Sequence, residues 1–289
     1  MNNYRNIVYV IIASVLLMAF VYADDTVTPV ASPGVSDTAS QIPPPPDSAY
    51  IARASDSSWW KRSIKNDAFN VGEYLKFKIR YGVIAAGMAE IRVQDTLNYN
   101  GNKCFEIVST ARSNAFISTF YEVDDTVISY VDYNGIFSHY FKKKLKEGKY
   151  KAEKETFFDQ KRHLAITGKD TVQTYSFVQD VFSAFFYART QTIEPGVDLF
   201  IDNHTDKKNY PLKVVVCGRE TIEVPAGKFA CVVVEPVMRG EGIFQAKGRI
   251  KIWLTDDRYK MPVKMETEVF FLGSIHADLV EYRYGVFPD

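Results

Sequence analysis

Cysteine and histidine are scarce in this chain, three and four residues of 289. No two cysteines form a Cys-x-x-Cys pair, no histidine lies within four positions of another, and no His-Glu-x-x-His or acidic calcium loop occurs. The spacings of a metal site are therefore missing. Net charge is missing as well: 35 Lys plus Arg balance 35 Asp plus Glu, which removes the basic footprint of a nucleic-acid binder. There is no Gly-x-Ser-x-Gly elbow, no P-loop and no dinucleotide fingerprint. Gly82 and Gly87 bracket a β-turn, not a strand-to-helix phosphate cradle. The chain reads as a non-enzyme with no cofactor, no metal and no nucleic-acid partner.

Long apolar runs are also rare, and the one that exists is N-terminal. Arg5 precedes an apolar stretch over 7–21 broken only by Ser14, and Val21-Tyr22-Ala23 fits a small-x-small cleavage site before Asp24. Residues 1–23 read as a signal peptide, with an uncleaved anchor as the competing reading. No cysteine lies near the cleavage site, which argues against lipid acylation. Residues 24–57 carry Pro29, Pro33 and the run 43–46 among small polar residues, the composition of a disordered tether. Residues 58–66 are an aromatic and basic lead-in, in which Trp59-Trp60 precede Lys61-Arg62 and read as docking on the domain. Residues 67–289 have the size of one β-rich domain.

Within that domain one stretch breaks a pattern of period-two alternation. Over 176–189, Val178, Val181, Phe182, Phe185 and Phe186 fall on one helical stripe, which predicts an amphipathic helix capped by Ser176 or Asp180. Asp180 and Arg189, near its two ends, are expected to anchor it. A short second helix is expected over 113–121, where Phe116, Ile117, Phe120 and Tyr121 have helical spacing and Ser113 or Asn114 can cap. Elsewhere Leu75, Phe77, Ile79 and Tyr81 alternate with Lys76, Lys78 and Arg80, and Asn100-Gly101, Asn134-Gly135, Glu147-Gly148 and Pro225-Ala226-Gly227 mark hairpin turns. A polar loop is expected over 204–209. The prediction is an all-β fold, a strongly curved antiparallel sheet or incompletely closed barrel of about a dozen strands. The main helix is expected inside it or plugging an end.

Cys104, Cys217 and Cys231 leave room for buried thiols or one structural bridge. Of the three pairings, Cys217 with Cys231 is the least favoured. The hairpin register that pairs Ile222 and Val224 with Phe229 and Cys231 puts Cys217 several residues away along the ladder.

Four segments carry a family resemblance: Tyr81-Gly-Val-Ile-Ala-Ala-Gly-Met-Ala, Gln179-Asp-Val-Phe-Ser-Ala-Phe-Phe-Tyr-Ala-Arg, Glu223-Val-Pro-Ala-Gly-Lys-Phe-Ala-Cys-Val-Val-Val-Glu-Pro, and Ile252-Trp-Leu-Thr-Asp-Asp-Arg-Tyr-Lys-Met-Pro-Val-Lys. Together they resemble the bacterial exported family catalogued as domain of unknown function 3108, over residues 69–284. The resemblance implies an exported β-rich domain in the periplasm of a Gram-negative bacterium and transfers no catalytic residue. The Val-Pro-Ala-Gly hairpin and the strand ending in Pro262-Val263-Lys264 also resemble, at fold level only, the periplasmic lipoprotein-carrier fold.

His139 and His163 could meet across strands but read as ordinary packing. Asp124-Asp125 and Asp256-Asp257 read as turn residues rather than an acid/base pair. The aromatic excess singles out Tyr81, Phe105, Phe116, Phe120, Phe182, Phe185, Phe186 and Trp253 as candidates to line an apolar ligand site, with core packing as the plainer account. The lysine-rich hairpin over 142–154 offers Lys142, Lys143, Lys144, Lys146, Lys149 and Lys151 as candidate envelope contacts, against a solubilising role. The expected function is an exported, non-enzymatic envelope protein that holds an apolar ligand or lipid. The alternatives are a tethered scaffold with an envelope protein partner, and an envelope hydrolase with a non-contiguous site.

Overall fold

The computed structural model of the chain describes residues 62–238, 249–269 and 273–287. The expectations for the signal peptide, the tether and Trp59-Trp60 lie outside the described residues.

Alternation decides the strands. In β1 (Tyr74–Tyr81) Leu75, Phe77 and Ile79 are buried, while Lys76, Lys78 and Arg80 take the opposite face. β2 (Ile84–Tyr99) and β3 (Asn102–Ser113) follow, and the short helix α1 (Ala115–Ser118), capped by Asn114, leads into β4 (Asp124–Asp132). β5 (Ser138–Glu147), β6 (Tyr150–Asp159), β7 (Leu164–Thr167) and β8 (Asp170–Gln173) complete a meander of eight strands. The helix α2 (Val181–Thr190) then starts a second meander: β9 (Leu199–Thr205), β10 (Lys208–Val224), β11 (Gly227–Met238), β12 (Ile250–Thr255), β13 (Pro262–Val269) and β14 (Gly273–Arg283).

β14 pairs with β1 from Tyr74–Arg283 to Tyr81–Ile275, fusing both meanders into one antiparallel sheet of fourteen strands among the described residues. The sheet is not closed; β8 and β9 are its edges. Register shifts in β1, β2, β4, β10 and β12 supply the extra local twist that curls so wide a sheet. The expected loop over 204–209 is instead a tight turn. Asp206 and Lys207 both adopt left-handed φ, +46° and +68°, so the strands continue through His204 and Asn209.

The main helix begins later than its periodicity suggests. Phe177 has φ +56°, and beyond it Gln179 runs extended: its N–H donates to the Asp202 carbonyl at 2.9 Å, and His204 N–H donates back to Gln179 at 2.8 Å. This short parallel bridge lays the helix approach along the β9 edge. Of the two expected caps, Asp180 is the one used, its Oδ1 accepting from the N–H of Phe182 (2.7 Å) and Ser183 (3.0 Å). α2 lies within the curl. Phe182 and Phe186 are buried, and Phe186 meets Phe69 edge-on at 4.6 Å.

Of the lead-in, residues 62–66 are described, and Arg62 packs against the domain. Arg62 donates to the carbonyls of Gly135 (2.8 Å) and Ile136 (2.9 Å) and stacks over Phe177 and Tyr187, each 4.7 Å from its guanidinium carbon. Gly135 is required there, since a Cβ would stand 2.2 Å from the Phe137 ring.

Candidate functional site

α2 is held at both ends by charges taken into the core. At its start Asp180 is fully buried; burial pushes its carboxyl up, while Ser138 and Ser129 hydroxyls and two helix N–H groups donate to it and pull the other way. At its end Arg189, also fully buried, makes two 2.7 Å bonds to Glu73 and donates to the carbonyls of Tyr259 and Ala68. Both end anchors expected from the sequence are present, and both position the helix.

So fixed, the helix presents unlike faces to the two halves of the sheet. Its phenylalanines Phe182 and Phe186 fill the core, and its alanines Ala184 and Ala188, one turn apart, face β9–β12. Small side chains on that face leave a groove. Val181, Ala184, Phe185 and Ala188 form one wall; Ile201, Leu212, Val214, Val234, Ile252 and Leu254 form most of the other. The groove holds about 640 Å³ of empty space counting its open mouth, but only about 50 Å³ available to the centres of water molecules. The smaller figure is the limiting one: the groove is narrow. One amide, Asn203, borders it. Its nitrogen donates to the Gln179 carbonyl at 2.9 Å and its oxygen accepts from Thr205 Oγ1 at 3.2 Å, so its hydrogen-bonding capacity is spent within the protein.

Among the eight aromatic candidates, Phe185 alone lines this groove. Phe105, Phe182 and Phe186 are core, and Phe105 stacks with Tyr133 at 4.7 Å. Tyr81 packs half-buried at the end of β1. Trp253 occupies the face of β12 opposite Ile252 and Leu254; its indole N–H donates to Glu220, and Lys264 Nζ lies 4.5 Å from the ring. Phe116 on α1 and Phe120 in the turn after it are out in solvent, 65% and 76% exposed. The aliphatic residues of β9–β12 that build the groove carry no signal that separates them from core. Ala184 and Ala188 do, as small residues on the helix flank beside the phenylalanine stripe.

The lysine hairpin divides as strand alternation requires. Lys142 pairs with Glu153 (2.6 Å) and Glu155 (2.8 Å), and Lys146 with Glu122 (2.8 Å). Lys143 is buried, its ammonium 2.6 Å from Asp206 on the β9–β10 turn. Lys144, Lys149 and Lys151 are exposed.

The polar groups expected at turns or in packing divide between those places and buried strand positions. Asp257 does cap its turn, accepting from the N–H of Tyr259 and Lys260. Asp125 does not sit at a turn: it is buried on β4, where burial pushes its carboxyl up to about 7 despite the Lys146 N–H it accepts. Glu147, buried near the end of β5, is also pushed up to about 7 by burial. His139 is paired with Asp132, Nε2 to Oδ2 3.0 Å, rather than with His163. It borders a wider polar hollow with Asn100, Asn102 and Gln160. All three cysteines are free thiols: Cys104 and Cys231 are buried, with thiols pushed up to about 12, and Cys217 is exposed. No group of three His, Cys, Asp or Glu side chains poised for a metal occurs among the described residues. No helix among them is long and apolar enough to cross a membrane.

A curled, unclosed antiparallel sheet wrapped on one buried helix defines a β-barrel-like domain. The chain belongs to the family described as Protein of unknown function (DUF3108), which matches residues 76–280. Among solved structures it is similar to a β-barrel-like protein of the DUF1849 family from Brucella abortus, at 12% identity and TM-score 0.53, covering 76% of this chain and 100% of that one. It is more distantly similar to a protein from Bacteroides fragilis described as exported with a YmcC-like fold, at 13% identity and TM-score 0.37, covering 76% and 99%. No curated protein matches the chain in sequence.

Proposed function

We propose that this protein is an exported, non-enzymatic component of the cell envelope that holds a single hydrocarbon chain in the groove between α2 and β9–β12. The observation that carries the reading is the groove itself: two apolar walls meet, and the one amide on its border is already satisfied from within. Such a site gains by excluding water from methylenes, roughly 0.8 kcal/mol for each one buried. It offers no donor to a headgroup, so the polar end of the ligand stays at the mouth. Its narrowness favours an unbranched acyl chain over a fused-ring lipid. Export is supported by the apolar N-terminal run and the cleavage pattern before Asp24.

The test is competition for a fluorescent fatty acid. The wild-type protein should take up the probe and release it to unlabelled long-chain acid. Ala184→Phe, which grows a ring into the groove, should lower affinity at least about tenfold while keeping the wild-type circular dichroism and a cooperative melt, at a stability cost of about 1–3 kcal/mol from overpacking. Equal binding by the wild type and Ala184→Phe would remove the groove from the account.

A further inference from the structure

Strand directions place the β1–β2, β5–β6, β7–β8 and β9–β10 turns and the α1 connection on one rim of the sheet. At the β1–β2 turn Gly82 takes φ +54°, and the Tyr81–Ile84 pair closes a two-residue hairpin with Val83 at its apex. Val83 is 100% exposed and Ile84 49%. Asn114 ties this hairpin to α1, its Nδ2 donating to the Ala85 carbonyl at 2.7 Å and its N–H to Ala86 at 2.9 Å. Phe116 on α1, a helix that buries none of its residues, and Phe120 in the turn that follows it project beside the hairpin, ring centroids 5.7 Å apart. On the far side of α1, Gly148 N–H donates to the Glu122 carbonyl at 2.7 Å, bringing the lysine hairpin against the chain that follows α1 on the same rim.

The charge around this apolar apex is positive. Among the described residues, the exposed acids flanking α1 and in the β7–β8 turn are engaged: Glu122 with Lys146 (2.8 Å), Asp124 with Arg112 (2.9 Å) and Asp170 with Lys207 (2.6 Å). Lys149, Lys151 and Lys169 are exposed and form no ion pair among the described residues. Lys151 stands directly across from Lys146, an arrangement of like charges that costs the sheet stability. A second copy of the chain would bring lysines against lysines. A lipid surface bearing phosphates would not.

We propose that this rim docks on an anionic lipid surface. Val83, Ile84, Phe116 and Phe120 enter the headgroup layer, and Lys149, Lys151 and Lys169 contact lipid phosphates. The proposal stands apart from the groove, because none of these residues lines it.

Flotation of the full chain with vesicles of phosphatidylglycerol and phosphatidylethanolamine, against phosphatidylcholine alone, tests it. Amide exchange is followed in residues 82–84 and 114–122. Anionic vesicles should slow exchange in both segments. Phe116→Ser/Phe120→Ser, altering only exposed rings, should keep the wild-type circular dichroism and lose that protection, with binding down at least about tenfold. Lys149→Ala should weaken binding to the anionic vesicles about fivefold, and added salt should erase the difference. The N-terminal apolar run is common to every variant, so the differences report on the rim. Unchanged exchange at 82–84 and 114–122, or equal binding to phosphatidylcholine, would overturn the proposal. So would a dimer that the phenylalanine variant abolishes in place of vesicle binding.

Discussion

Arg189 brings a guanidinium into the core, where Glu73 meets it with both carboxylate oxygens and Phe69 and Phe186 lie within about 5.5 Å of its central carbon. A pair this enclosed is held by its partners rather than by water, so removing one leaves the other stranded. Arg189→Met should cost about 3–5 kcal/mol, read as a lower urea midpoint with unchanged slope. Adding Glu73→Gln should recover part of that loss, because the neutral amide no longer needs a cation; a double variant no better than the single would refute the pairing as the cause. The same residue shows what a sequence can reveal. An arginine at the end of an apolar stripe and an aspartate near its start are local signals, and both anchors of α2 were legible from them, Asp180 as one of two candidate caps. Glu73 lies 116 positions from Arg189, and nothing near either residue encodes their meeting. Asp125 failed for a related reason. An Asp-Asp pair beside a helix resembles a turn until strand pairing places one of the two on an inward face.

Elements inherit these local choices and add alternation to them. On β4 and β5 the inward rows place Ser129, Asp125, Lys143 and Glu147 beside Val127 and Leu145, so one hairpin carries a buried polar stripe through an otherwise apolar lining. The two carboxyls on it ionise near 4 in an unfolded chain but are held protonated to about 7 in the fold by burial. Between those values the folded state binds more protons than the unfolded state. Stability from this pair is therefore fully present below about pH 4, declines as pH rises towards 7, and is level above it, where both states are ionised. Thermal melts from pH 4 to 9 should show this decline, and Glu147→Gln should flatten it and raise the midpoint at pH 8. A slope unaffected by the substitution would mean that other groups set it. Periodicity made such hairpins legible as strands and offered Asn114, with Ser113, as the cap of α1, yet it overran the end of α1 and the start of α2. The 176–179 segment has a helical stripe in sequence, but the β9 edge offers Gln179 backbone partners, and two tertiary hydrogen bonds outweigh a weak local preference. The groove was invisible for the same kind of reason: a stripe shows which face is buried, but the space beside it depends on how far the opposing strands stand from two alanines.

At the scale of the molecule, those two hydrogen bonds at Gln179 become part of a seam. The curved meander was legible because about a dozen alternating segments without a βαβ rhythm leave few other solutions, with the helix expected inside it or plugging an end; the structure has fourteen strands and places the helix inside. The closing pair of strands was not, since β1 and β14 meet across almost the whole domain. Their pairing joins the two meanders on one side, and on the other side β8 and β9 remain as edges that a sheet of this width would expose to neighbours. Side chains and the helix approach cover that gap. Asn209 Nδ2 donates to the Gln173 carbonyl at 2.7 Å, Lys207 pairs with Asp170 at 2.6 Å, and Gln179 bridges to Asn203. Gln179 also spans inward, its Nε2 donating to the Ile136 carbonyl at 2.8 Å, so one residue ties the edge, the helix approach and the β4–β5 turn together. Gln179→Pro deletes the N–H given to Asp202 and the side chain that reaches Ile136. The expected result is faster amide exchange confined at first to 199–205, followed by concentration-dependent self-association as the unprotected edge recruits other chains. β1 and β14, zipped to each other at the opposite side of the curl, should keep their protection until global unfolding. Exchange that accelerates uniformly across both meanders would show instead that the seam and the sheet open as one unit, and that Gln179 guards the fold rather than its edge.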